Sequence, residues 1–118
     1  MVASPREAAS NSSHTTAVDL IATTNGTGNV KGVACQVTAD GNGIFPSAVV
    51  KFHVNGGAAQ TITLTADSMA PSGEGSSAVG YTGWVPFNVR FSSSIRITIQ
   101  KASSYGSAVN CAASWGLD

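Results

Sequence analysis

The chain has 118 residues, only 10% of which are charged, and its six basic and six acidic residues give no net charge at pH 7. A neutral chain has no field that would attract nucleic acid or an anionic membrane, so we predict neither as a partner. Sparse charge also gives little repulsion between copies, which suits a protein that works in an assembly. The length favours one domain with a hydrophobic core of its own.

The first sixteen residues carry mostly small and polar side chains, without the period of a helix or a strand. Residues 1–16 are therefore predicted to form a flexible N-terminal arm, either a disordered end or an arm that docks on a neighbour. The remainder, 17–118, is predicted to form a single β-sandwich domain. The start of the chain lacks the apolar stretch of a signal peptide, and no run is long enough to span a membrane. We therefore expect a protein made without a secretory signal, with a processed precursor as the alternative.

Short alternating runs separated by turn residues fill the first part of this domain. Alternation of apolar and polar residues is typical of strands with one buried face. Asn55-Gly56-Gly57 supplies residues that accept positive φ, and predicts a tight turn between two paired strands. The predicted strands in this part are 17–23, 30–38, 48–54 and 60–66.

Residues 67–84 break the rhythm and are predicted to form a long loop that ends in an aromatic cluster. Alternation resumes over 87–91 and 95–99, on either side of three serines, and predicts a hairpin of two half-buried strands. A last strand is predicted over 107–115. The total of seven or eight short strands indicates an all-β fold, an antiparallel β-sandwich of jelly-roll or immunoglobulin-like type.

The two cysteines, Cys35 and Cys111, each share a strand face with apolar neighbours, so both thiols are predicted to point inward. If their strands face each other a bridge is possible, and the loop-entropy model gives it roughly 4 kcal/mol. Without a secretory signal, we favour two free buried thiols that act as small apolar groups.

Catalytic and metal-binding patterns are missing from the sequence. The two histidines, His14 and His53, lie in the predicted arm and on a polar strand face, and the acidic residues are scattered over turns and tails. Neither a nucleophile–base–acid set, nor a carboxylate pair, nor a four-ligand zinc site can be assembled from them. We predict a protein that is not an enzyme and uses no cofactor and no metal.

Partner contacts are predicted at a few exposed positions. Tyr81 and Trp84, at the end of the long loop, could stack on a sugar ring or could close one end of the sandwich. Arg90 and Arg96 flank the three serines and could lie together against an acidic or sugar partner, or could be ordinary solvated strand positions. The predicted contact residues are Met69, Tyr81, Trp84, Arg90 and Arg96.

The second half of the chain resembles small structural proteins of tailed bacteriophages. The resemblance rests on the strand–Asn55-Gly56-Gly57–strand unit with the threonine-rich run 61–65, and on Trp84-Val85-Pro86-Phe87-Asn88-Val89-Arg90-Phe91 leading into 95–99. It implies a jelly roll or sandwich that decorates the capsid or sits at a head or tail joint. It further implies the major capsid protein or other virion proteins as partners, a dimer or trimer, assembly in the host cytoplasm, and no catalytic residue.

The resulting hypothesis is a non-enzymatic virion structural protein, in the first place a capsid decoration (cement) protein that stabilises the phage head. The alternative is a carbohydrate-binding β-sandwich module that uses Tyr81 and Trp84, with Trp115 as a further candidate. A third hypothesis is a secreted effector or toxin domain with a bridge between Cys35 and Cys111.

Overall fold

The computed structural model describes residues 4–40, 44–65, 79–102 and 106–118, and these ranges contain eight strands and no helix. No helix in the described part of the chain is therefore long and apolar enough to cross a membrane. The strands are β1 (Ser4–Ser12), β2 (Val18–Asn25), β3 (Gly28–Thr38), β4 (Ala48–Val54), β5 (Gln60–Leu64), β6 (Val79–Phe91), β7 (Ser94–Lys101) and β8 (Ala108–Leu117).

The strands form two four-stranded antiparallel sheets. Sheet I has the order β1-β8-β3-β6, and sheet II has the order β2-β7-β4-β5. The first strand therefore pairs with the last, the second with the seventh, and so on inward, as in one long antiparallel ribbon. The ribbon is rolled up, because β8 also pairs with β3 and β7 also pairs with β4. The prediction of an all-β sandwich is confirmed.

Strand order also decides between the two sandwich types that the sequence left open. In an immunoglobulin-like sandwich the first two strands are neighbours in one sheet. Here β1 lies in sheet I and β2 in sheet II, and the eight strands follow the double-sheet order of a jelly roll.

The core lies between the two sheets and is built from the inward face of each strand. Alternation is clearest in β7, where Ile95, Ile97 and Ile99 are fully buried. Phe52 of sheet II meets Phe87 of sheet I edge to face, with ring centroids 5.1 Å apart. Other buried core residues are Leu20, Ile21, Val30, Val33, Val37, Val50, Phe91 and Val109.

The predicted tight turn at Asn55-Gly56-Gly57 is confirmed, because β4 and β5 pair as a hairpin on either side of it. Asn55 and Gly56 have φ angles of 56° and 73°. The Asn55 side-chain oxygen accepts hydrogen bonds from the backbone N–H groups of Ser92 and Ser93, both at 2.8 Å. The turn of sheet II therefore also holds the connection from β6 to β7.

The hairpin predicted over 87–99 is wrong, although both of its strands are present. β6 pairs with β3 in sheet I, whereas β7 lies between β2 and β4 in sheet II. The serines between them carry the chain from one sheet to the other. Two strands that face each other across a core show the same alternation as two strands of a hairpin, so the pattern could not distinguish the two arrangements.

The prediction of a flexible arm over residues 1–16 is wrong for residues 4–12, which form strand β1. Strand β1 pairs with β8 from Ser4, opposite Leu117, to Ser12, opposite Val109. Its inward side chains are small or polar, and Ser12 is only 2% exposed. Backbone hydrogen bonds to β8 hold this edge strand, and a hydrophobic pattern does not report such bonds.

The two cysteines form a disulfide, so the preferred prediction of free thiols is wrong. Cys35 of β3 lies directly opposite Cys111 of β8, with Cα atoms 4.1 Å apart, and the two sulfurs are bonded. The prediction that both side chains point inward is correct, since they are 3% and 1% exposed. The register of β3 with β8 brings the two cysteines together, and alternation within each strand does not report that register.

Candidate functional site

The two exposed aromatic residues lie on strand β6 and not in a loop. Tyr81 and Trp84 point outward from sheet I and are 63% and 53% exposed. They are three positions apart in the sequence, so a regular strand would send them to opposite faces. Their shared direction therefore needs a local cause.

That cause is a β-bulge at Thr82 and Gly83. β3 pairs Ala34 with Trp84 and Gln36 with Tyr81, so Cys35 alone stands opposite two residues of β6. Gly83 has a φ of 75°, which favours glycine, and the Thr82 hydroxyl oxygen accepts a hydrogen bond from the Cys35 N–H at 3.0 Å. The additional residue shifts the alternation of β6 by one position, so that both rings lie on the outer face of the sheet.

Two rows of side chains cross the outer face of sheet I from these aromatic residues to the edge strand β1. The alanine row begins at Trp84, and the amide row begins at Tyr81. The alanine row continues through Ala34, Ala112 and Ala9, and the amide row through Gln36, Asn110 and Asn11. The alanine row lines a groove of about 340 Å³ together with Tyr81, Gln36 and Asn110 of the amide row, whereas Asn11 is not part of its lining.

Trp84 lies close against the backbone of its neighbour strand. A Cβ atom placed on Gly32 of β3 would lie 2.5 Å from Cζ2 of Trp84 and 2.6 Å from the carbonyl oxygen of Val85. Only glycine leaves room for the indole at this position. Gly32 therefore positions the ring at one end of the groove.

The groove can offer ring faces, small apolar groups and amides to a ligand, but little charge. Of the described residues that line it, only Tyr81 has a titratable side chain that is not in a disulfide. Gln36 and Asn110 each carry both hydrogen-bond donors and acceptors. In the described ranges no group of three or more His, Cys, Asp or Glu side chains could hold a metal ion.

Arg90 and Arg96, for which the sequence left open either a shared site or ordinary solvated positions, lie in different sheets. Arg90 of β6 pairs with Asp118 through both guanidinium nitrogens, and the Nη1–Oδ1 distance is 3.0 Å. This hydrogen bonding, together with the opposite charge, raises the pKa of Arg90 and lowers the pKa of Asp118. Arg96 of β7 binds Asp19 at 2.9 Å on the outer face of sheet II.

The other two candidate residues from the sequence are Met69 and Trp115. Met69 lies outside the described residues. Trp115 is only 6% exposed and packs in the core, with the Arg6 guanidinium carbon 5.4 Å from its ring centroid. Of the aromatic residues that were considered for sugar binding, the structure places Tyr81 and Trp84 together and separates Trp115 from them.

Sequence reasoning missed the amide row. Gln36 and Asn110 are the residues next to the two cysteines, at the outward positions of the same alternating runs that placed the thiols inward. Because an amide stands beside each of the two inward cysteines, the outward direction of both amides could have been predicted from the sequence. The pairing that aligns these amides with Tyr81 was not readable, because it depends on the register of three strands.

No family model and no curated protein matches the chain. Among solved structures, it is similar to the crystal structure of exo-β-1,3-galactanase from Phanerochaete chrysosporium with galactose, at 16% identity and a TM-score of 0.40. The match covers 97% of this chain and 29% of the galactanase chain, so this chain spans less than a third of that protein's length. A likeness of this size carries no argument about function.

Proposed function

We propose that the protein is a non-enzymatic carbohydrate-binding module, and that it binds its ligand in the groove on the outer face of sheet I. The observation that carries the proposal is the bulge at Thr82 and Gly83, which directs Tyr81 and Trp84 together into solvent. Bulges often redirect side chains at functional sites. Without a ligand, more than half of the surface of Tyr81 and of Trp84 stays in water, where its apolar part does not contribute to folding.

The lining of the groove matches the two kinds of surface that a sugar presents. The C–H face of a sugar ring is apolar and packs on an aromatic ring, while its hydroxyls point sideways and need both donors and acceptors. Trp84 and Tyr81 supply the rings, and Gln36 and Asn110 supply the amides beside them.

Glycan-array screening followed by titration calorimetry tests this function. We expect Trp84→Ala to weaken binding of the array hits at least roughly tenfold, since loss of the stacking surface should cost about 1.4 kcal/mol or more. Ile44→Ala is the matched control, because Ile44 is 47% exposed but does not line the groove. An array without hits, or hits that Trp84→Ala binds as tightly as the wild type, contradicts the proposal.

The second candidate is the capsid decoration protein suggested by the phage resemblance. The jelly-roll strand order is compatible with it, because double-sheet jelly rolls occur in viral capsid proteins as well as in lectins. Fold alone does not choose between these functions. A decoration protein is expected to be a dimer or trimer that co-sediments with emptied or expanded tailed-phage capsids. A monomer that stays in the supernatant contradicts this candidate.

A further inference from the structure

The side chains of the groove repeat from strand to strand across sheet I. The alanine row and the amide row each place one side chain on every strand of sheet I, from β6 through β3 and β8 to β1. Neighbouring strands lie ~4.8 Å apart, so each row spans ~14 Å. The spacing between strands is close to the length of one sugar unit in an extended oligosaccharide.

We infer that the groove binds an extended, uncharged oligosaccharide of about four units that lies across the strands, with its first unit on Trp84. This inference rests on the proposed carbohydrate-binding function and names its ligand class. Each further unit lies over one alanine, of Ala34, Ala112 and Ala9 in turn.

The floor of the groove is suited to such a chain because its side chains are small. Ala9 and Ala112 are exposed, and Ala34 is half-buried between Trp84 and Ala112. A row of methyl groups leaves room for sugar rings and offers them apolar contact. Larger side chains in these positions would fill the space that the second, third and fourth units need.

The amide row gives the second and third units polar partners on the same side. Gln36 and Asn110 lie opposite each other in the register of β3 and β8, and Asn11 lies opposite Asn110 on β1. All three are exposed. Their amides can donate to and accept from hydroxyls that recur along a sugar chain, so Gln36 and Asn110 are expected to determine specificity for the second and third units.

The charge on this face favours a neutral chain. No Asp, Glu, Lys, Arg or His is among the described residues that line the groove. Glu7 lies on the same face of β1 as Ala9, two positions away, and is exposed. A carboxylate or sulfate on the ligand would lose water without gaining a cationic partner in the groove, and Glu7 would repel it.

Titration calorimetry with a length series tests the inference. The probes are cello-, xylo- and manno-oligosaccharides of one to six units, with oligogalacturonides of the same lengths as charged counterparts. We expect affinity for at least one neutral series to rise at least roughly tenfold from one unit to about four and then to level off, and the charged series to bind more weakly.

Blocking variants locate the chain in the groove. Ala112→Leu should end the gain in affinity after two units, whereas Ala9→Leu, one strand further along, should end it after three. Gln36→Ala and Asn110→Ala should weaken binding of the tetrasaccharide but not of the monosaccharide. Asn88→Ala is the matched amide control, since Asn88 is exposed on β6 but does not line the groove. Circular dichroism of each variant reports whether it is folded.

Four outcomes overturn the inference. Affinity that does not depend on length, or tighter binding of oligogalacturonides, contradicts it while the carbohydrate-binding function survives. If Ala112→Leu and Ala9→Leu end the gain in affinity after the same number of units, the sugar chain does not run across the strands from Trp84 to β1. Binding of none of the probes also overturns it, and the glycan array then decides the wider function: a Trp84-dependent hit on another glycan preserves that function, and no hit removes it.

Discussion

Arg90 and Asp118 illustrate what a single residue pair does on the surface of this protein. Arg90 lies on β6 and Asp118 follows β8, so their ion pair spans the intervening strand β3. Both side chains are exposed to water, and such pairs contribute little to stability. The pair is therefore a local feature of the surface, whose clearest consequence is the lowered pKa of Asp118.

Hydrogen bonds from the Arg90 guanidinium are the largest cause of the lowered pKa of Asp118. In Arg90→Gln, this pKa should therefore return to its ordinary range. A carboxyl group whose folded pKa lies below its unfolded pKa stabilises the fold above the unfolded pKa. That contribution is lost as pH falls through the folded pKa. Any stability difference between wild type and Arg90→Gln should therefore disappear in acid.

Carboxyl-carbon NMR titration measures this pKa directly. Arg96→Gln is the control, since it removes the pair with Asp19 in the other sheet and should leave Asp118 unchanged. Identical Asp118 titration curves in wild type and Arg90→Gln would show that the ion pair is absent in solution.

Strand β6 is the element that makes the candidate site. Its bulge opposite Cys35 changes the alternation between Tyr81 and Trp84, and the hydroxyl of Thr82 satisfies the N–H that the interrupted pairing leaves free. Gly83 supplies the positive φ. No described atom lies within 4 Å of a Cβ placed on Gly83, so any substitution there acts through the backbone and not through a clash.

Gly83→Val should lower the free energy of unfolding by about 1–2 kcal/mol, because a β-branched residue is strained at this φ. It should also weaken glycan binding, since a flattened bulge would turn one ring away from the other. Gly83→Asn is the control, because asparagine tolerates positive φ better. Urea denaturation and calorimetry measure the two effects. A valine variant as stable as the asparagine variant would show that the bulge does not need its glycine.

Across the whole molecule, the disulfide ties together strands that are far apart in sequence. Cys35 and Cys111 are separated by 76 residues, and their bond joins β3 to β8 in the middle of sheet I. Gln36 and Asn110 are the neighbours of the bonded residues and lie opposite each other on the outer face. The bond therefore supports the fold and also the alignment of the central amides of the groove.

Reduction of this disulfide should lower the free energy of unfolding by roughly 4 kcal/mol, as the chain-entropy model gives for a loop of this length. Guanidinium unfolding with and without dithiothreitol measures the change. The double variant Cys35→Ala/Cys111→Ala should have the free energy of unfolding of the reduced protein, and dithiothreitol should not change it. Two thiols that react in the unfolded protein before reduction would contradict the bond itself.

Local patterns in the sequence were enough for the fold class and for one hairpin. Alternation tells which face of a strand is buried, so the inward positions of Ile95, Ile97 and Ile99 and of both cysteines could be predicted. Asn55-Gly56-Gly57 specifies a turn through its own backbone preferences, so the β4–β5 pairing could be predicted as well. Both signals lie within a few residues of the feature they describe.

Pairing between distant segments was settled by the three-dimensional structure. β6 and β7 lie in opposite sheets, residues 4–12 dock on β8, and Cys35 meets Cys111 only because β3 and β8 are neighbours. The groove depends on the same pairings. The register of β3 with β6 places the bulge at Gly83 opposite Cys35, and the register of β3 with β8 aligns the amides. Alternation specifies the face of a strand but not its neighbour, and backbone hydrogen bonds between strands are nearly independent of side-chain type.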